Sequence, residues 1–143
     1  MSDLKKQYKN FRLRRGNQIV AYAQEKSTGV SFTGKYLLFW RAGEEGFDEI
    51  DEATSSLDKM NRRIYEGDIV RYKSNFKPLF REAVIIKKSN DFFLLDLDFW
   101  AVIPLHINGL SLFQAEALEI ISHQFTHPDL NQKIKSWKKA SIT

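Results

Sequence analysis

Short runs of apolar and β-branched residues alternate with turn residues along most of the chain, a pattern typical of a small, turn-dense β protein. The clearest example is residues 64–70, where an acidic turn around Gly67 separates two apolar runs. The pattern predicts a hairpin with its turn at 15–18 and strands at 30–33, 36–40, 69–72, 80–88 and 92–97, with further apolar runs at 100–107 and 110–113. This spacing predicts an α+β, mostly-β fold with a small SH3-like or barrel-like core.

Helical spacing occurs in two places. Apolar residues recur every three or four positions from Phe47 to Met60, which predicts an amphipathic helix in the acidic segment 41–58; a solvated acidic loop is the alternative. Residues 117–125 suit a strand or a helix, and the Ile120-Ile121 pair favours a strand. Pro128 is suited to the first turn of a short, basic C-terminal helix that buries Leu130, Ile134 and Trp137.

The length and composition bound the domain organisation and setting. A chain of 143 residues with an aromatic fraction of 13% can form one domain or two small subdomains around a compact core. We predict an N-terminal β subdomain at 1–60 and a β core with the basic helix at 61–143. The chain has no cysteine, no membrane-spanning apolar run and no apolar leader after Met1, so we expect a cytoplasmic protein without disulfides or a membrane partner.

Charge is unevenly distributed along the chain, although the net charge is only +4. Segment 41–58 contains seven acidic residues and one basic residue, while bases gather at both ends. Cations interleaved with aromatic side chains suit phosphate contact and base stacking. The candidate nucleic-acid-binding residues are Arg12, Arg14, Arg15, Lys135, Lys138 and Lys139.

Two segments resemble one protein family in order and spacing. Residues 61–72 (Asn-Arg-Arg-Ile-Tyr-Glu-Gly-Asp-Ile-Val-Arg-Tyr) resemble the central motif of the YopX family of phage and prophage proteins, and residues 118–130 resemble its closing segment. Phe93-Leu94-Leu95 matches the central strand of that family, and Phe32-Thr33-Gly34 its aromatic-Thr-Gly element. The motif residues are Ile64, Tyr65, Glu66, Gly67, Asp68, Ile69 and Val70.

The resemblance covers about residues 61–131, and the N-terminal half departs from it. The acidic segment lies between the Thr-Gly element and the central motif, which are usually close together in the family. His123 and His127 stand where the family commonly has Asn. The resemblance implies a mostly-β fold, a phage or prophage origin and the cytoplasm of a bacterial host, but no reaction, because the family brings no established catalytic residues.

Candidate chemical groups are few. Glu119, His123 and His127 are spaced four apart, as metal ligands on a helix would be, but the segment favours a strand and we expect no metal there. Asp91, Asp96 and Asp98 flank an apolar strand, and Glu66 and Asp68 flank Gly67. Paired carboxylates can carry out acid/base chemistry or hold Mg²⁺, but we expect these to bond nearby backbone groups at turns and strand ends. We expect Gly67 to supply a positive φ or a bulge, and Asp68 to tie the turn.

Three functions follow from these features. The first is a non-enzymatic phage accessory protein without a cofactor, which binds a protein partner or assembles with itself. The second is a nucleic-acid-binding module that uses the basic ends. The third is an RNA-cleaving toxin, because a Gly-Asp-Ile-Val strand followed by an Arg-x-x-Val-Ile strand resembles small-barrel toxins of the MazF type, although there the motif normally sits near the N-terminus.

Overall fold

The structure is a computed structural model that describes residues 9–34, 47–73, 79–108 and 110–141. Contacts divide the chain into two compact units, Met1–Ala53 and Thr54–Thr143. The sequence-based boundary lies between residues 60 and 61. The predicted strand at 36–40 and the acidic residues 41–46 lie outside the described residues.

The first unit contains an antiparallel sheet. Its strands are β1 (Lys9–Arg15), β2 (Gln18–Lys26), β3 (Gly29–Thr33) and the first part of β4 (Glu49–Leu57), in the order β3-β2-β1-β4. Gly16 and Asn17 form the β1–β2 turn, which confirms the predicted hairpin. A bulge between Leu13 and Arg14 shifts the register, and the apolar core consists of Leu13, Val20, Ala21 and Ala23.

The acidic segment corrects the sequence analysis. Residues 49–57 form strand β4, so the predicted acidic helix is wrong there, and so is the alternative of a loop. Ile50 and Leu57, part of the supposed helical stripe, are 55% and 41% exposed, whereas Asp51, Thr54 and Ser56 are buried. Periodicity failed because it assumes that apolar residues face inward. In β4 polar residues face inward instead, and hydrogen bonds satisfy them there.

In its described residues, the second unit contains a five-stranded antiparallel sheet and one α-helix. Its strands after β4 are β5 (Arg63–Tyr65), β6 (Asp68–Lys73), β7 (Phe80–Lys88), β8 (Asp91–Asp96), β9 (Val102–Pro104), β10 (His106–Ile107), β11 (Leu110–Ser111) and β12 (Leu118–His123), and helix α1 spans Pro128–Ser141. The sheet order is β12-β6-β7-β8-β9, β5 pairs with β4, and β10 pairs with β11. Strand β12 and the basic helix are therefore as predicted.

Both faces of this sheet are covered by apolar side chains. One face contributes to a cluster of Ile64, Val70, Tyr72, Ala83, Ile85, Leu94, Leu105 and Leu118. The other contributes to a cluster of Ile69, Val84, Ile86, Leu95 and Ile134, with Leu130 and Trp137 of α1 packed against it. Burial on both faces explains why β7 and β8 contain continuous apolar runs rather than alternating ones.

The predicted fold class is confirmed: the chain is α+β and mostly β, and its described residues form antiparallel sheets and a C-terminal α-helix. Its sheet in the second unit corresponds to the predicted barrel-like β core. Within the described ranges, no helix is long and apolar enough to cross a lipid bilayer.

Candidate functional site

The turn in the motif 64–70 joins three parts of the second unit. Gly67 has φ +91°, as predicted, and its N–H donates to the carbonyl of Ile85 at 2.8 Å. Its carbonyl accepts from the N–H of Gln124 at 2.8 Å, and buried Asp68 accepts from the N–H of Tyr65 at 2.8 Å. The motif therefore connects β6 with β7 and the end of β12, a structural role.

Asp58 is fully buried and joins the β4–β5 turn to strand β12. Its Oδ1 accepts from the N–H groups of Met60 and Arg62, both at 2.9 Å, and its Oδ2 accepts from the N–H of Ile120 at 3.0 Å. Arg62 Nη2 also forms an ion pair with Asp58 Oδ2 at 2.7 Å. Burial alone would raise the pKa of Asp58, but the bonds from Ile120 and Arg62 outweigh it and hold the pKa below the ordinary value.

Asp96 is the centre of a second buried polar network. Its Oδ2 accepts from Tyr72 Oη at 2.5 Å and from Arg81 Nε at 2.7 Å, and its Oδ1 accepts from Arg81 Nη2 at 3.0 Å. The Arg81 guanidinium lowers the pKa of Asp96 strongly against the effect of burial. Burial and the bond to Asp96 raise the pKa of Tyr72 to about 12, so the phenol stays protonated at neutral pH.

The same network holds an exposed aromatic side chain in place. Asp96 Oδ1 accepts from the N–H groups of Asp98 and Phe99, both at 2.9 Å, and Trp100 follows with φ +56°. The Arg81 guanidinium lies 4.4 Å from the centroid of the Phe99 ring. Phe99 is nevertheless 74% exposed. The ionic network around buried Asp96 thus fixes a turn that presents an accessible aromatic ring.

Two of the candidate nucleic-acid-binding residues are buried in the first unit, where they form ion pairs with Asp51. Arg12 and Arg14 are only 4% and 7% exposed, and both bind Asp51, with Nε–Oδ2 distances of 3.0 and 2.8 Å. Arg14 also donates to Asp51 Oδ1 at 2.9 Å and to the carbonyl of Gly16 at 2.8 Å. Their placement is a correction, because buried guanidinium groups bound to a carboxylate do not present a phosphate-binding surface.

The other candidate cations lie nearer the surface. Arg15 is exposed at the end of β1, and Lys135 and Lys139 are exposed on α1. Lys138 Nζ lies 3.7 Å from Glu66 Oε2. The nucleic-acid hypothesis therefore depends on Arg15, Lys135 and Lys139, and it stays a prediction.

The histidines at 123 and 127 do not form a metal site with Glu119. Glu119 pairs with Lys59 at 3.3 Å and with Arg71 at 3.8 Å, while His127 Nε2 lies 2.9 Å from Ser122 Oγ. The ring of His123 lies against Phe125, with centroids 5.6 Å apart. Across the described parts of the chain, no three His, Asp or Glu side chains come together as a metal centre.

One polar cluster pairs a histidine with two serines. His106 Nε2, on β10, lies 3.1 Å from Ser55 Oγ and 3.1 Å from Ser56 Oγ, on β4. Burial lowers the pKa of His106, although the negative charge of Asp91 acts in the opposite direction. Sequence spacing missed this contact because about fifty residues separate the partners, and neither serine lies in a recognisable nucleophile motif.

Comparisons with known proteins add no family assignment. No protein-family model matches the chain, and a search of curated proteins finds no match. The site must therefore be interpreted from its own geometry.

Proposed function

We propose that the chain is a phage or prophage accessory protein that works by binding another protein, in the first instance a second copy of itself. The resemblance of residues 61–131 to the YopX family supports the phage origin. The buried acids support a binding role over catalysis, because Asp51, Asp58 and Asp96 each hold arginine or backbone N–H partners. Carboxylates used in this way stabilise the fold.

The observation that carries the proposal is the presentation of Phe99. A ring that is 74% exposed leaves apolar surface in water, and association would recover that free energy at about 25 cal/mol per Å² buried. The turn is already fixed by Asp96 and Arg81, so binding would require little further ordering of the backbone. Aromatic side chains, phenylalanine included, are enriched at protein–protein interfaces.

Sedimentation equilibrium over a concentration series tests the proposal. We expect the wild-type chain to associate reversibly and Phe99→Ser to weaken association by about tenfold or more, as the loss of an aromatic anchor predicts. Phe32→Ser is the matched control, because Phe32 is an exposed phenylalanine at 45% in the first unit. A wild-type chain that stays monomeric, or an equal effect of the two substitutions, would reject self-association through Phe99.

A further inference from the structure

The serine–histidine cluster of β4 and β10 has the geometry of an activated nucleophile. We propose that Ser55 is a nucleophilic serine, with His106 as its general base, that accepts an acyl group from an activated carboxylic ester. The proposal rests on the 3.1 Å separation of Ser55 Oγ and His106 Nε2, which is within the range for direct proton transfer. It is separate from the binding function, since it requires one transfer to the chain and no turnover.

His106 is suited to the role of base in its protonation and its position. Burial lowers its pKa, which favours the neutral ring, and Nε2 can accept a proton when Nδ1 carries the other. The ring is half-buried on β10, which pairs with β11 through His106 and Ser111. Partial burial of the ring reduces the competition of water for its nitrogen atoms.

The two serines have different exposure, and this assigns their roles. Ser55 is exposed, so an ester can reach its hydroxyl, whereas Ser56 is buried and its N–H donates to Thr54 Oγ1 at 3.1 Å. Ser56 Oγ also lies 3.1 Å from His106 Nε2 and so helps to hold the ring. Leu57, two positions after Ser55 on the exposed side of β4, gives the surroundings an apolar side chain that suits a short acyl group.

The chemistry balances without a further reactant. Ser55 Oγ forms a bond to the ester carbonyl carbon while its proton passes to His106 Nε2. The ester C–O bond then breaks, and the departing alcohol oxygen receives that proton from His106. The products are O-acyl Ser55 and a free alcohol, with His106 returned to its neutral form.

A second serine–histidine pair in the same unit provides an internal control. Ser122 Oγ lies 2.9 Å from His127 Nε2 and 3.4 Å from Thr126 Oγ1. Both serine–histidine pairs lie at the surface, but His127 is exposed whereas the ring of His106 is half-buried and also contacts Ser56. Water competes for the exposed His127 ring, so a shorter distance does not give an organised base. We therefore expect the longer pair, which has the half-buried histidine, to be the reactive one.

The experiment treats the full-length chain with 4-nitrophenyl acetate and locates acetyl groups by peptide mass mapping over time. We expect Ser55 to acetylate at least about a hundredfold faster than Ser122, the low end of what a positioned general base supplies. His106→Gln, which keeps a polar side chain but cannot accept the proton, should reduce Ser55 acetylation to the rate of Ser122. Ser122→Ala and His127→Gln should leave Ser55 acetylation unchanged.

The comparison of Ser55 with Ser122 is made within the wild-type chain, so it does not depend on whether a variant folds. Circular dichroism of His106→Gln establishes whether the variant keeps the strand content of the wild type. Equal acetylation of the two serines, absence of acetyl-Ser55, or full reactivity in a folded His106→Gln variant would each overturn the proposal. Acetylation confined to lysines would overturn it as well.

Discussion

At the scale of single residues, buried carboxylates hold turns against strands where no β-sheet hydrogen bonds do so. Asp96 accepts hydrogen bonds from Tyr72, Arg81 and the N–H groups of the following turn. Asp58 accepts hydrogen bonds from the Arg62 side chain and from the N–H of Ile120. Both acids have a pKa held below the ordinary value of 3.8. Their charged forms therefore favour the folded state, and that stabilisation depends on pH.

Asp96→Asn tests this dependence. The substitution keeps the size of the side chain but removes the charge that Arg81 requires, so we expect the free energy of unfolding to fall by about 3 kcal/mol at pH 7. Because the folded-state pKa is depressed, the wild-type advantage is complete above the ordinary carboxyl pKa, near 4, and declines as the pH falls below it. Urea unfolding at a series of pH values measures both effects.

Asp98→Asn is the matched control for this prediction. Asp98 is 73% exposed and lies 3.4 Å from the same Arg81, so its removal should change stability by less than about 0.5 kcal/mol. An Asp98→Asn variant as unstable as Asp96→Asn would show that burial of Asp96 is not the cause. A constant difference between Asp96→Asn and wild type from pH 7 to pH 2 would contradict the linkage argument.

At the scale of elements, the sequence predicts an element well when its apolar residues face the core. The hairpin turn, strands β6 to β8 and the helix after Pro128 were all predicted, because turn residues and apolar runs agree there. Strand β4 was missed because its inward face is polar and its partners, such as Arg14 and His106, are distant in sequence. The serine–histidine contact escaped prediction for the same reason, since only the fold brings its residues together.

The β7–β8 turn offers a stability prediction at this scale. Ser89 and Asn90 have φ of +53° and +70°, the signature of a turn that favours Asn-Gly. The double substitution Ser89→Asn and Asn90→Gly should raise the free energy of unfolding by about 0.5–1 kcal/mol, because Asn and Gly adopt the left-handed conformation of these two positions at lower cost. Thermal and urea unfolding measure the gain.

Asn17→Gly in the β1–β2 turn is the control, because Asn17 is not among the residues with positive φ. Glycine at position 17 only increases the conformational entropy of the unfolded chain, so the free energy of unfolding should be unchanged or lower. A gain from Asn17→Gly equal to that of the double substitution would mean that left-handed backbone is not what limits the β7–β8 turn.

At the scale of the whole molecule, the position of the domain boundary has a physical consequence. Contacts place Thr54 at the start of the second unit, whereas the boundary predicted from the sequence lies at residue 61, where the resemblance to a known family begins. The residues between these positions include Asp58, and the N–H of Lys59 donates to the carbonyl of Leu118 at 2.9 Å. The turn before β5 therefore satisfies backbone groups along β12, at the edge of the second sheet.

Two fragments distinguish these boundaries. We expect fragment 54–143 to unfold cooperatively in urea and fragment 61–143 to be less stable by about 3 kcal/mol or more, because it lacks the buried carboxylate that binds Arg62 and the N–H of Ile120. Asp58→Asn in the longer fragment should reproduce most of that loss, which separates the effect of the side chain from that of chain length. Equal stability of the two fragments would show instead that β12 does not need the turn, and that the compact unit begins at residue 61.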